Sequence, residues 1–566
     1  MQALIIRLFC PFIITLYATG VFSCTNFIVT KGASKDGSVM VVYTCDGEFH
    51  PHPRVLPAED HKKGELIEIR RWDNDMTGKI NQVPHTYAVV GPYINEFQVS
   101  IGETTFGGRK ELINTEAFLH YWHMMWITLQ RSKTAREAVE VLTGLAEEYN
   151  YGSEGETFSI ADKNEAWIVE MAGTGPGGKG AVWVALRIPD GYVCAHANKS
   201  RIGKFPLDDP ENCLYSKNVI SFAKEKGYYD PKSGEPFRFN EAYDPSNPSN
   251  LRYCSTRVWS LFRKSAPSLD LSPDYHRGVK GAKRYPLWIR PDNKLSLKDV
   301  MDIVRDHYER TDYDMTKGLE AGPFGCPNRW RPLTFTVDSS ECAWERPVST
   351  YNTGFSFISQ SRSWLPDEIG GVLWYGFDDT YFTCYAPFYC SITEFPKPYT
   401  TGSIRKFSWE SAWWVFNFVS NYANLKYSYM IKDIQAVQNE LELKLILEQD
   451  SVDKQALKYA VSYKPPAEKR EGSEEEYSPP PSGKEEIAKL LTQYCIKSGE
   501  MVVKRWIELG EALITKYNDG YVKDENGRPQ GVGYPDEWYE RAVEDRENVK
   551  LPVWEEGSGS AEPTNF

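Results

Sequence analysis

Residues 24–40 read CTNFIVTKGASKDGSVM. Two β-like runs, TNFIVT at 25–30 and SVMVVYT at 38–44, flank KGASKDG, where Gly32, Asp36 and Gly37 signal a turn. The pattern predicts a hairpin whose first strand opens at Cys24. Between 157 and 197 the strand-like runs TFSIAD, AWIVEM, AVWVALRI and YVCAHA return. Glycine-rich sequence at 173–180 and the turn Pro189-Asp190-Gly191 split them. Ahead of this block a helix is predicted over 134–149. Thr134 and Glu137 form its capping box, and Ala138, Val141, Leu142, Leu145 and Tyr149 mark one face. Strand pairs and helices come in blocks, so the reading is α+β layers rather than a doubly wound parallel sheet.

Beyond 400 the pattern turns helical. Trp413, Phe416 and Val419, then Ile434, Val437, Leu441 and Leu445, recur at helical spacing. A second such pattern over about 485–517 uses Ile487, Leu490, Leu491, Tyr494, Trp506, Leu509 and Leu513. Between them KPPAEKREGSEEEYSPPPSGKE (464–485) reads as an exposed Pro- and Glu-rich linker or loop. The predicted division is a leader at 1–23, a main domain at 24–400 and a helical extension packed on it at 401–463. The linker at 464–485, a C-terminal helical segment at 486–554 and a disordered tail at 555–566 follow. No internal repeat is visible.

The first 23 residues, MQALIIRLFCPFIITLYATGVFS, have the layout of an export signal. Arg7 is the positive charge, Leu8 to Leu16 is nearly unbroken apolar sequence, and Thr19, Gly20, Val21 and Ser23 are small or short. The apolar run is shorter than the roughly 20 residues a membrane span needs. Cleavage after Ser23 is predicted, which places the mature protein in a periplasmic or extracellular setting and makes Cys24 its first residue. Two chemistries want a cysteine there. Acylation would anchor the protein to a membrane as a non-catalytic binding protein. Catalysis would use the thiol as nucleophile and the freed α-amine, with a pKa of roughly 7.7 to 8, as its base. Acylation of the amine removes the base, so the two are close to exclusive.

The 566 residues carry Lys+Arg 65 against Asp+Glu 78, a net charge of −13. That argues against a nucleic-acid or anionic-membrane partner, either of which needs a basic surface. At 41% hydrophobic and 25% charged the composition is that of a globular protein. Aromatics at 14% favour a large core or ring-lined grooves. Of 11 cysteines none forms a CxxC pair, which excludes a zinc ribbon and a thioredoxin motif. Cys10 leaves with the leader, and the nine others besides Cys24 are an odd number, so buried thiols are expected.

Other constellations read as structural. His120 and His123 lie three apart among aromatic residues with no HExxH pattern, and His50 and His52 flank Pro51 in a loop. GTGPGGKG at 173–180 lacks the Lys-Ser/Thr ending of a phosphate loop and reads as a hairpin connection. There is no GxSxG elbow and no papain-type CGSCW motif. No metal and no cofactor is called for.

Taken in order from Cys24, the motifs resemble the bacterial dipeptidase family of N-terminal nucleophile cysteine peptidases. Secernins look related, as do penicillin V acylase and bile salt hydrolase more distantly. The resemblance rests on CTNFIVTKGASKDGSVM (24–40), INEFQVSIGETT (94–105), IADKNEAWIVEMAG (160–173) and WVALRIPDGYVCAHANKSRIG (183–203). STRVWSL (255–261), PFGCPNRW (323–330), QSRSWLPDEIGGVLWYG (360–376), APFYCSI (386–392) and SWESAWWVFNFVSNYA (408–423) complete it.

The resemblance implies a four-layer αββα core of two antiparallel sheets between helices, with a helical C-terminal region. It implies Cys24 as nucleophile, Asp46 as an acidic residue near the nucleophile and its amine, and Asn198 as a donor to the oxyanion. It also implies Arg257 as the arginine beside the nucleophile and Thr104, in GETT, as a second oxyanion contributor. Where family members often carry Arg-Thr-Glu-Asp, this chain reads Tyr43-Thr44-Cys45-Asp46, so the arginine is missing at Tyr43. The implied substrate is a small peptide, and the implied reaction is hydrolysis of a dipeptide amide through a thioester. A same-class alternative is cleavage of an N-acyl amide.

Overall fold

The computed structural model describes residues 24–71, 75–328, 334–462, 483–546 and 550. The expected leader at 1–23, the tail at 555–566 and all but the last three residues of the expected linker lie outside the described residues. The chain is mixed helix and sheet, of the α+β kind.

The predicted hairpin forms. Strands Cys24–Val29 and Val39–Asp46 pair antiparallel, with Cys24 opposite Cys45 and Asn26 opposite Tyr43, and a 3-10 turn at Lys31–Ala33 lies between them. The hairpin sits inside a seven-stranded antiparallel sheet. Val193–His196 and then Trp288–Ile289 extend it on one side. Thr353–Ser361, Gly371–Phe377 and Ala386–Tyr389 extend it on the other. All six residues of the first strand are buried, the polar Thr25 and Asn26 among them.

The second sheet has eight strands. Its centre is a meander of Ser100–Phe106, Gly155–Ala161, Ala166–Ala172 and Val182–Arg187. The glycine-rich segment 173–180 is the connection between the last two of these strands, as its composition predicts. Strand Ser100–Phe106 lies against both strands of the hairpin. Gly102 permits the approach, because a Cβ there would collide with Asn26 and with Tyr43.

Helix Ala135–Tyr149 packs on Gly155–Ala161 and Ala166–Ala172. Its Thr134 side chain accepts from the Glu137 amide, the bond that the capping box predicts. On the outside of the first sheet, helices Ala412–Ala423, Tyr427–Ser462 and Gly483–Tyr517 pack against one another and against its last two strands. Two buried ion pairs tie Tyr427–Ser462 to the rest: Arg362 with Asp453, and Arg305 with Glu442 at 2.5 Å. Buried charges of this kind persist only when paired. Phe416 and Trp506 meet at 5.0 Å between ring centroids and join two of the helices. Among the described residues no helix is long and apolar enough to cross a membrane.

Candidate functional site

Cys24 begins the first strand and is 1% exposed. Its backbone N donates to Asn198 Oδ1 at 3.0 Å. Arg257 binds the same residue from the other side. Its Nη1 donates to Cys24 O at 2.7 Å and to Thr25 Oγ1 at 3.0 Å, and its Nη2 donates to Asn198 Oδ1 at 3.0 Å. Asn198 Nδ2 donates to Thr105 O at 2.6 Å, so the amide's orientation is set at both ends. The chain reaches Asn198 just past strand Val193–His196 with φ at 53°, a left-handed backbone that asparagine tolerates better than most residues. Arg257 comes from the first turn of helix Thr256–Ser265 and is fully buried.

Asp46 closes the second strand, one residue past Cys45. It is hydrogen-bonded to Arg346 and accepts from Thr353 Oγ1 at 2.6 Å. Arg346 Nη1 also donates to Tyr253 OH at 2.7 Å. Asp46 thus stands beside the nucleophile's pairing partner and bonds to an arginine. Thr104 lies elsewhere. Its Oγ1 is 2.7 Å from His196 Nδ1, and Ser159 Oγ is 2.7 Å from His196 Nε2. Of the five residues singled out, Cys24, Asn198 and Arg257 are bonded together, Asp46 is adjacent, and Thr104 serves His196.

The residue next to Thr104 is the one that reaches the thiol. Successive side chains on a strand leave opposite faces, and Glu103 Oε1 is 3.5 Å from Cys24 Sγ. The same oxygen accepts a hydrogen bond from Tyr43 OH, which itself lies 3.8 Å from Sγ. Glu156 lies close enough to Glu103 for the two carboxyls to act on each other, and Thr105 Oγ1 donates to Glu156 Oε2 at 2.9 Å. Glu103, Glu156 and Arg346 are the site residues that sequence reasoning missed. The segment GETT carried the first of them, but nothing local says which of its side chains faces the thiol.

Burial sets the electrostatics. It pushes the Cys24 thiol well up, and the hydrogen bond with Cys45 and the charges of Glu103 and Asp46 push the same way. Cys24 therefore rests as a thiol rather than a thiolate. Burial also raises both glutamates, Glu156 further because Glu103 faces it. Each carboxyl disfavours the charge on the other, so the pair resists carrying two negative charges at once. Burial pushes Asp46 up too, with Arg346, Thr353 and Arg257 pulling it back.

His120 caps helix Tyr121–Leu129, with Nε2 3.0 Å from Ser153 Oγ. His50 Nε2 is 2.8 Å from Ser411 Oγ. Among the described residues no group of three or more His, Cys, Asp or Glu could hold a metal ion. The ten cysteines from Cys24 onward are free thiols, eight of them buried. A cavity of about 920 Å³ lined by Arg187, Arg201, Arg238 and Trp288 does not include Cys24. Its arginines are engaged with carboxylates or carbonyls, and it holds no nucleophile.

The protein is a peptidase by family. The chain belongs to peptidase family C69, whose model matches residues 23–440. It is 27% identical over 412 residues to a probable dipeptidase of Salmonella dublin, covering 70% of this chain and 87% of that protein. It is 25% identical over 412 residues to a probable dipeptidase of Latilactobacillus sakei, covering 69% and 79%. It is likewise 25% identical over 434 residues to probable dipeptidase A of Streptococcus pyogenes serotype M18, covering 73% and 84%.

Proposed function

We propose that the protein is an exported cysteine dipeptidase that uses Cys24 as an N-terminal nucleophile. The observation that carries this reading is the hold on the Cys24 nitrogen: Asn198 Oδ1 accepts from it, and Arg257 fixes that same oxygen. Removal of residues 1–23 turns this nitrogen into an α-amine with a pKa of roughly 7.7 to 8. The amine takes the thiol proton, and the thiolate attacks the peptide carbonyl. Asn198 Nδ2 has two hydrogens and Thr105 O takes one, which leaves the other for the oxyanion. A donor of that kind contributes about 3 to 4 kcal/mol to the transition state. The ammonium then protonates the leaving amine, and water hydrolyses the thioester.

Membership in a peptidase family and relatives named probable dipeptidases support the substrate class. Two stacked antiparallel sheets with helices outside each support the αββα core of an N-terminal nucleophile hydrolase. In this reading 24–400 is the catalytic domain, and the helices of 401–463 and 486–554 buttress its first sheet. The composition of residues 1–23 supports export to a periplasmic or extracellular space.

The test is Cys24→Ala in the processed protein. Dipeptide hydrolysis should fall to the uncatalysed background while the circular dichroism spectrum is unchanged, and retained activity refutes the mechanism. Intact mass of the exported protein should show a free Cys24 at its N-terminus. A diacylglyceryl, N-acylated Cys24 would instead assign a lipid anchor.

A further inference from the structure

A dipeptide presents a free α-ammonium beside the bond to be cut. The structure places an acidic group against the thiol. Glu103 Oε1 lies 3.5 Å from Cys24 Sγ. In a substrate with a free N-terminus, the α-nitrogen is two bonds, about 2.5 Å, from the carbonyl carbon under attack. That carbon approaches the sulfur to roughly 3 to 3.5 Å before reaction. An ammonium on the first residue can then be brought into contact with Glu103 without moving the reacting carbon away from the sulfur.

The state of the carboxylate favours such a ligand. Glu103 and Glu156 are both fully buried, and among the described residues neither makes an ion pair with Lys, Arg or His. The arginines nearest Cys24 are turned to other partners: Arg257 to Cys24 O, Thr25 and Asn198, and Arg346 to Asp46 and Tyr253. Tyr43 donates to Glu103 Oε1 and orients it, but as a neutral donor it does not cancel the charge. Glu156, a second buried carboxyl, stands beside Glu103 and brings no positive charge either. A buried carboxylate without a counter-ion is costly, and a bound cation removes most of that cost.

We infer that Glu103, oriented by Tyr43, is the anchor for the α-ammonium of the substrate's first residue. The site is thereby selective for dipeptides with a free N-terminus over N-acyl amides. This rests on the reading of Cys24 as nucleophile. A capped substrate brings no positive charge and leaves the Glu103 carboxylate buried and unpaired, which builds discrimination into the site.

The experiment compares Ala-Ala with propionyl-Ala, which lacks only the α-amino group, in processed wild type, Glu103→Gln and Glu103→Asp. Wild type should prefer Ala-Ala by at least a hundredfold in kcat/KM. Glu103→Gln should lose that preference, its kcat/KM falling at least thirtyfold further on Ala-Ala than on propionyl-Ala, chiefly through a higher KM for Ala-Ala. Glu103→Asp should restore part of the preference. Equal losses on both substrates would overturn the inference and assign Glu103 to the thiol proton or the Cys24 amine. Wild type cleaving both equally well would overturn it with no variant needed. A Cys24→Ala protein still active on Ala-Ala would bring down the nucleophile reading itself, an outcome separate from either of these.

Discussion

On one side of Cys24, Asp46 is buried against Arg346 and Thr353, with Arg257 clamped on the Cys24 backbone. On the other side, Glu103 and Glu156 are buried against each other and against Tyr43. Both clusters pay the cost of removing charge from water. The arginine side recovers it within the protein, since each charged group meets an opposite charge or several oxygens. The glutamate side has no counter-ion among the described residues, and burial with a like group beside it pushes both carboxyls up. The first cluster is therefore a fixture that holds the strand end in place. The second is the part of the site whose energy changes most when a cation arrives.

Breaking the first cluster should have the largest effect on folding. Arg346→Met leaves Asp46 buried without its main partner and should lower stability by roughly 3 to 5 kcal/mol. Chemical unfolding measures this. In the same assay Glu103→Gln removes a buried charge that has no ion-pair partner, and it should not lower stability. A comparable loss in both variants would erase the contrast. Arg257→Lys should act on rate more than on folding. An ammonium lacks the planar fork that spans Cys24 O, Thr25 Oγ1 and Asn198 Oδ1. Small misplacement of a reacting group costs about 10- to 100-fold, so kcat should fall by that factor with KM moving less. Steady-state kinetics that show an unchanged kcat would remove Arg257 from the site. Thr104→Val should have the smallest effect on rate. It leaves His196 Nδ1 without its hydroxyl partner, for a stability loss of about 1 to 3 kcal/mol. Its kcat/KM should stay nearer the parent's than that of Arg257→Lys, and a larger fall would return Thr104 to the oxyanion.

The elements that sequence reasoning found share a short range. The hairpin at 24–46, the capped helix at 135–149 and the strands between 155 and 196 are set by side-chain alternation, turn residues and a capping bond three residues long. These are signals a linear reading can register. Cys24, Asn198 and Arg257 were found because each lies within a motif. The bonds that join them cross 174 and 233 positions of sequence, and no periodicity spans that distance.

By itself, then, the sequence determined the strand and helix content, the place of Cys24 at the head of a strand and three members of its surroundings. Tertiary structure alone decided the division of charge. Arg346 meets Asp46 across 300 positions because Thr353–Ser361 pairs with the hairpin and brings the segment just before it to the strand end. Glu103 rather than Thr104 reaches the thiol because of how Ser100–Phe106 lies on that hairpin. Alternation puts neighbouring side chains on opposite faces, but only the packing of one sheet on the other says which face meets the sulfur.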